Sequence, residues 1–207
     1  MLLAFDTATP QVTVALHSGE EGTEPLAEAA GDRAMKHGEE LAPLIASVLA
    51  EADAVPADLT RIAVGVGPGP FTGLRVGLVT ARTMGFALAI PVDGVCTLDV
   101  LALEAVETGT VRGPFQVATD ARRKEVYFAA YSPLGDRLTG PVVERPDALP
   151  GRLVTIGEGT VLYPAAFPDS VGPLRPSAGW LARGVAADRF ELLATEPLYL
   201  RRPDAER

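Results

Sequence analysis

Two short segments carry acidic and hydroxyl side chains of the kinds that hold magnesium and phosphate. Asp6, Thr7 and Thr9 follow the apolar run 2–5, and Asp120 ends a second such run. Carboxylate and hydroxyl oxygens are hard ligands that suit Mg²⁺. Aspartate and threonine are also ordinary turn residues. Two interpretations are therefore open for these residues, a contact with a bound nucleotide and a simple turn.

Other residue types that build catalytic centres are scarce. His17 and His37 are the only histidines and Cys96 is the only cysteine, so no zinc-binding spacing exists. No Ser-His-Asp or Cys-His arrangement can be argued from spacing. Glu39 and Glu40 are interpreted as the acidic first turn of a helix, where they meet the helix dipole favourably. The residues alone therefore predict no zinc site and no catalytic triad.

The segment 65–78, GVGPGPFTGLRVGL, lies between a predicted strand and a predicted helix, where phosphate-binding loops occur. Counted from Gly67, the third glycine of the motif is Gly73, which comes one residue late for GxGxxG. Prolines replace the N–H groups that a phosphate needs, and no GK[ST] follows. Within the helix, Gly73, Gly77, Ala81 and Gly85 recur every four residues and form a stripe of small residues. Two interpretations of this stripe remain open, close packing on the chain's own sheet and an interface with another chain.

Composition and charge narrow the class of protein. The chain has 207 residues, 47 % of them hydrophobic, and a formal net charge of −9. That charge disfavours tight binding of a polyanion by this chain alone. Neither a signal peptide nor a membrane span is expected, and a single cysteine is typical of a reducing compartment. We expect a cytoplasmic protein without a membrane partner.

The hydrophobic patterns predict an α/β fold with mixed sheets. The predicted strands are 2–6, 12–16, 25–30, 61–66, 92–95, 115–120, 126–131, 141–143 and 154–156, and the predicted helices begin near 41, 71, 98 and 178. The first helix carries apolar residues at 41, 44, 45, 48, 49 and 52, with Pro43 expected in its first turn or at a kink. The last is predicted to span 178–193. A strand, an aspartate, a turn and a second strand occur in both halves, which indicates an internal repeat.

Several segments together resemble the bacterial TsaB (YeaZ) family. They are DTATPQVTVAL, KHGEELAPLIASVL, GVGPGPFTGLRVGLVTARTMGFAL, PVDGVCTLDVL, DARRKEVYFAAY and PLYLR, which cover nearly the whole chain in order. The resemblance implies an actin-like fold of the sugar kinase and Hsp70 type, with subdomains 1–96 and 97–207, the second of them shortened. It also implies a role in making threonylcarbamoyladenosine (t6A) at position 37 of tRNA.

The resemblance further implies a subunit without catalytic activity. TsaD, the catalytic paralogue, carries an HxxxH metal-binding pair where this sequence places Thr97 and Leu101. Arg122 and Arg123 stand where a nucleotide-binding relative has a glycine-rich turn. No cofactor is expected for the isolated chain, and ATP with magnesium belongs to the assembled complex. Two alternatives are a stand-alone actin-like ATPase or kinase that uses Asp6 and Asp120, and an M22-type glycopeptidase.

The implied partners are TsaD, bound through paired helices, and the pathway ATPase TsaE. The same surface would form a homodimer in the absence of TsaD, and tRNA would be contacted only through the complex. The expected interface consists of the apolar stripe of the first helix and the small-residue helix. Its residues are Leu41, Leu44, Ile45, Val48, Leu49, Phe71, Gly73, Arg75, Gly77, Ala81 and Gly85.

Overall fold

The computed structural model describes residues 1–31, 36–149 and 153–201. The chain forms two compact units. The first contains Met1–Thr97 and Ser177–Leu198, and the second contains Leu98–Pro176 and the described residues from Tyr199 onward. Within the described ranges, no helix combines the length and the apolarity needed to cross a bilayer.

Nine strands and five α-helices form in the described residues, and all except α4 correspond to a predicted element. The elements are β1 (Leu2–Asp6), β2 (Thr13–His17), β3 (Ala27–Ala30), α1 (His37–Glu51), β4 (Arg61–Gly67), α2 (Phe71–Leu88), β5 (Val92–Cys96), α3 (Thr97–Glu107), β6 (Phe115–Asp120), β7 (Val126–Tyr131), β8 (Arg137–Glu144), β9 (Val154–Ile156), α4 (Gly159–Leu162) and α5 (Ala178–Ala186). Short 3₁₀ turns occur at Pro56–Asp58 and Pro146–Ala148.

The sheet of the first unit has the order β3-β2-β1-β4-β5. Strands β1, β2 and β3 pair antiparallel, whereas β4 pairs parallel to both β1 and β5. The helices α1 and α2 pack against each other and against this sheet. Their apolar residues join the large side chains of the central strands in one core.

The two faces of this sheet differ in side-chain size. Val14 and Leu16 of β2 belong to the core that contains α1 and α2. Successive strand residues point to opposite faces, so Thr13 and Ala15 face the other way, where the Ala178 N–H donates to the Thr13 hydroxyl at 3.0 Å. Helix α5 therefore covers the face opposite to α1 and α2.

The sheet of the second unit repeats this arrangement with the order β8-β7-β6-β9. Strands β6, β7 and β8 pair antiparallel, and β9 pairs parallel to β6. Strand β6 thus occupies the place of β1, and each of the two ends in an aspartate. The predicted α/β class, the internal repeat and the actin-like fold are confirmed.

Helix boundaries differ from the predictions at two places. Helix α1 begins at His37, four residues before the predicted start, so Pro43 lies inside the helix on its exposed side. Helix α5 ends at Ala186 because Asp188 takes a left-handed φ of 50° and the Arg189 N–H bonds the Gly184 carbonyl at 2.8 Å.

The two units also divide the chain differently from the predicted subdomains 1–96 and 97–207. The division at residue 97 is close to the predicted one, but Ser177–Leu198 belongs to the first unit. This segment is held there by α5 and by two backbone hydrogen bonds between Gly94 and Leu193, of 3.0 and 2.8 Å.

Candidate functional site

The carboxylate of Asp6 lies at the carboxyl end of β1, buried in the first unit. Its Oδ1 accepts the Ala8 N–H at 2.6 Å, and its Oδ2 accepts the Thr97 hydroxyl at 2.7 Å. Gly65 on β4 has no side chain, and a Cβ at this position would overlap the carboxylate. Only 1 % of Asp6 is exposed. The donors around this carboxylate are therefore groups of the chain itself.

The loop after Asp6 is attached to the first residues of both neighbouring helices. The Thr7 hydroxyl donates to the Gly73 carbonyl at the start of α2, at 2.8 Å. His37 at the start of α1 is buried, and its Nε2 lies 2.7 Å from the Thr9 carbonyl oxygen. The Thr9 hydroxyl donates to the Gln11 carbonyl at 3.0 Å. Asp6, Thr7 and Thr9 are thus brought together in one buried cluster with His37 and Thr97, and a role in contacting nucleotide stays a prediction.

Burial dominates the electrostatics of this cluster. It raises the pKa of Asp6 from 3.8 to about 6, and the Ala8 N–H, the Thr97 hydroxyl and the nearby His37 offset part of that rise. The ionised carboxylate therefore destabilises the folded unit near neutral pH.

We expect the variant Asp6→Asn to remove a pH dependence of stability. The pKa of Asp6 in the folded chain, about 6, lies above the unfolded value of 3.8. The protonated carboxyl group of Asp6 therefore contributes its full share to the free energy of unfolding below about pH 4, and this contribution is lost as the pH rises through 6. Between pH 4 and 7 the unchanged chain should lose up to about 3 kcal/mol relative to the variant. Urea unfolding of both proteins over this range measures the difference, and parallel curves would contradict it.

The aspartate of the second unit has a different environment. Asp120 Oδ1 accepts the Arg122 N–H at 2.8 Å, and Asp120 Oδ2 lies 3.5 Å from Arg122 Nε. The loop continues through Arg122, Arg123 and Lys124, which have left-handed φ angles of 61°, 56° and 63°. In place of a glycine-rich turn, this loop therefore carries three cationic residues in a backbone conformation that favours glycine.

The small-residue stripe of α2 faces the interior of the first unit. Gly73, Gly77, Ala81 and Gly85 are all buried. A Cβ on Gly73 would overlap the Thr7 carbonyl oxygen, one on Gly77 the Thr7 hydroxyl, and one on Gly85 the Val92 side chain. The internal-packing interpretation accounts for these residues, and their assignment to a partner interface needs correction.

The apolar stripe of α1 also faces inward. Leu41, Ile45, Val48 and Leu49 are buried in the core of the first unit, with Leu44 partly buried against it. An amphipathic helix buries its apolar stripe in its own core before that stripe is available to any partner. Of the expected interface residues, only Leu44, Phe71 and Arg75 have a substantial exposed fraction.

The outward side of the two helices has an unusual composition. Its exposed residues on α1 are mostly small: Gly38, Ala42, Pro43, Ala46, Ser47 and Ala50. On α2 the side chains of Val79 and Phe86 are 61 % and 91 % exposed, and the Arg75 guanidinium stacks over the Phe71 ring at 3.7 Å. We call these residues of α1 and α2 the outer helical face.

The sequence contained a signal for this face. The solvent side of a globular helix is normally charged or polar, whereas the residues between the apolar positions of α1 are alanine, proline and serine up to Glu51 at its end. The two sides of this helix together, rather than the apolar stripe alone, indicate an exposed face without charge along most of its length.

Comparisons with known proteins agree with the fold. The family model for tRNA N6-adenosine threonylcarbamoyltransferase (TsaD) matches residues 28–161. An uncharacterized Mycobacterium tuberculosis protein is 43 % identical over 99 % of this chain and 93 % of its own length. The tRNA threonylcarbamoyladenosine biosynthesis protein TsaB of Escherichia coli is 31 % identical over 79 % of this chain and 73 % of its own length.

A solved structure has the same fold over nearly the full length. YeaZ from Pseudomonas aeruginosa superimposes with a TM-score of 0.77 and 29 % identity, covering 96 % of this chain and 99 % of that chain. With the repeated sheets and the sequence relatives, this similarity shows that the chain belongs to the TsaB (YeaZ) family of tRNA threonylcarbamoyladenosine biosynthesis proteins.

Proposed function

We propose that this chain is a non-catalytic subunit of t6A biosynthesis that binds and activates TsaD through the outer helical face. The observation that carries the proposal is the composition of that face, which is small on α1 and carries the exposed apolar side chains of Val79 and Phe86 on α2. The family membership supports a role in t6A biosynthesis, and the outer helical face offers a surface on which a partner could bind.

The small residues of α1 suit the close approach of another helix. The distance between packed helices depends on the side chains at the contact, and Ala42, Ala46 and Ala50 lie one turn apart along the exposed side. These short side chains also lose little rotamer freedom on binding. A partner helix could therefore lie close to the α1 backbone along about two turns.

The apolar residues of α2 supply the hydrophobic part of the contact. Phe86 is 91 % exposed, and Val79 lies about two helical turns before it on the same side. Burying a phenylalanine side chain is worth about 1.5–3 kcal/mol. The Arg75 guanidinium over the Phe71 ring adds a flat cationic group, of the type enriched in interfaces.

The residues at other positions favour a subunit without catalytic activity. Thr97 and Leu101, which the resemblance aligns with the metal-binding histidines of TsaD, are buried at 1 % and 0 % exposure. Both histidines serve local structure: His37 Nε2 contacts the Thr9 carbonyl oxygen, and His17 Nδ1 accepts the Gly19 N–H at 3.0 Å. The chain would thus act through its partner, in whose complex ATP and magnesium would bind.

The outer helical face and the net charge of the chain also bear on its other partners, which are a second copy of the chain, TsaE and tRNA. Two copies of the chain would pair through the outer helical face when TsaD is absent, and TsaE would join the assembled complex elsewhere. The net charge of −9 leaves tRNA to the other subunits. The proposal is tested by the formation of t6A on tRNA by TsaD, with and without this chain.

A further inference from the structure

The loop after β1 is bonded to both helices of the outer helical face at the points where these helices begin. The Thr7 hydroxyl donates to the Gly73 carbonyl at 2.8 Å, and Nε2 of His37 lies 2.7 Å from the Thr9 carbonyl oxygen. Because a carbonyl oxygen only accepts hydrogen bonds, Nε2 carries the proton and donates it. Both hydrogen bonds are buried. We call these two bonds, which link the first residue of α1 to the first turn of α2, the helix joint.

The groups around the helix joint are closely packed. A Cβ on Gly73 would lie 3.3 Å from both Cε1 and Nε2 of His37, and a Cβ on Gly69 would overlap the backbone of Ala8. His37 itself is 2 % exposed. The imidazole ring is therefore held between the loop and the start of α2, and it cannot move without disturbing one of them.

The first turn of α1 has few helix-stabilising features of its own. Its N-cap residue, Lys36, makes no side-chain capping bond. Gly38 is a poor helix former, and Pro43 has no N–H to donate to the Glu39 carbonyl. The Lys36–Glu39 ion pair is exposed and lies within the same turn, so it contributes little to the position of that turn. Contacts with the rest of the unit must therefore hold the turn in place.

Two buried side chains of the first turn supply such contacts, in different directions. Glu40 packs over Gly31 at the end of β3, where an added Cβ would overlap its carboxylate. This contact ties the turn to the edge of the sheet. The hydrogen bond of His37 ties it to the loop that also holds α2.

The helix joint lies beneath one end of the outer helical face. Gly38 and Ala42 are exposed on α1 at this end, and Phe71 and Arg75 lie at the start of α2. We propose that His37 is a positioning residue for the outer helical face. It holds the start of α1 against the start of α2, so that the surface for TsaD is already formed in the free chain. A preformed surface binds more tightly because the partner does not have to order it. This inference rests on the proposed function of that face.

The test compares three variants with the unchanged chain. His37→Leu removes the donor and keeps an apolar side chain in the buried site. His37→Gln restores a donor, because the glutamine Nε2 is separated from Cα by as many bonds as the histidine Nε2. His17→Leu is the matched control. His17 is also fully buried and its Nε2 lies 3.0 Å from the Thr23 carbonyl oxygen, but it belongs to β2 and faces α5.

Calorimetric titration with TsaD and amide hydrogen exchange of the isolated chain are the two measurements. His37→Leu should weaken TsaD binding about 10-fold or more and speed the exchange of amides 39–42 by about as much, since a lost buried hydrogen bond shifts the local equilibrium by this factor. His37→Gln should stay within about 3-fold of the unchanged chain in both measurements. His17→Leu should lower the Tm but leave TsaD affinity within about 2-fold.

A further variant covers the case in which His37→Leu does not fold. Thr7→Val keeps the shape of the side chain and removes the other hydrogen bond of the helix joint, so it should weaken TsaD binding about 5-fold or more. Unchanged binding by Thr7→Val in that case would overturn the inference.

Three results with folded His37→Leu would overturn the positioning role alone. They are unchanged TsaD affinity while Ala46→Lys on the outer helical face loses it, an equal loss of affinity in His17→Leu, and an equal loss in His37→Gln. Unchanged affinity in both His37→Leu and Ala46→Lys would instead overturn the proposed function of the face, and the positioning role with it.

Discussion

The variant Ala46→Lys is expected to bind TsaD at least about 100-fold more weakly than the unchanged chain, with its own fold intact. Ala46 is exposed at the centre of the outer helical face. A lysine there keeps its charge in water in the free chain, and lysine is a good helix former. In a close helix contact the same side chain would bury an unpaired charge or push the helices apart, and a loss of ~3 kcal/mol corresponds to about 100-fold in affinity.

The matched control for this variant is Ala186→Lys. Ala186 ends α5, which covers the opposite face of the first sheet. The variant Ala186→Lys introduces the same charge into the same unit, away from the outer helical face. Its affinity for TsaD should therefore stay within about 2-fold of that of the unchanged chain. Isothermal titration calorimetry measures both affinities, and circular dichroism checks both folds. Equal affinities of the two variants would remove the outer helical face from the interface.

The variant Gly73→Ala is expected to lower the free energy of unfolding of the isolated chain by about 2–3 kcal/mol, or roughly 5–10 °C in Tm. An added Cβ would overlap the Thr7 carbonyl oxygen and lie 3.3 Å from the His37 ring. The oxygen belongs to backbone that follows β1, and the Thr7 hydroxyl already bonds the Gly73 carbonyl. Neither side of the contact can move without breaking a buried hydrogen bond.

The control is Gly38→Ala, a helical glycine with nothing within 4 Å of its added Cβ. This substitution should raise the stability by up to ~1 kcal/mol, because alanine forms helix better than glycine. Thermal unfolding of the two variants without any partner measures the contrast. If Gly73→Ala were as stable as Gly38→Ala, the stripe would not be needed for internal packing. A bulky residue at Gly77 is a poor probe of the interface, since the Thr7 hydroxyl occupies that space.

Most strands and helices were predictable because the sequence patterns that indicate them lie within a few neighbouring residues. Alternation and helical spacing identified β1, β2, α1 and α2, and the paired motif of strand and aspartate identified the repeat of the two sheets. Helix α4 was missed, since its four residues are too few for a periodic signal. The end of α5 was missed because a left-handed residue at Asp188, rather than a glycine, stops the helix.

The spacing of the small residues alone could not predict whether a helix face packs on the chain's own backbone or on a partner. A stripe of glycines permits close approach to any backbone, and only the fold shows that Gly73 approaches the backbone at Thr7.

Formation of t6A on tRNA in a reconstituted reaction tests the central claim most directly. The mixture contains TsaD and TsaE from the same genome, the threonylcarbamoyl-adenylate donor, ATP with magnesium and unmodified tRNA, and the product is measured by mass spectrometry of the digested tRNA. The account predicts abundant t6A in the complete mixture, a loss of at least about 90 % when this chain is omitted or replaced by Ala46→Lys, and none from this chain without TsaD. Unchanged t6A formation without the chain, or t6A formed by the chain without TsaD, would contradict it.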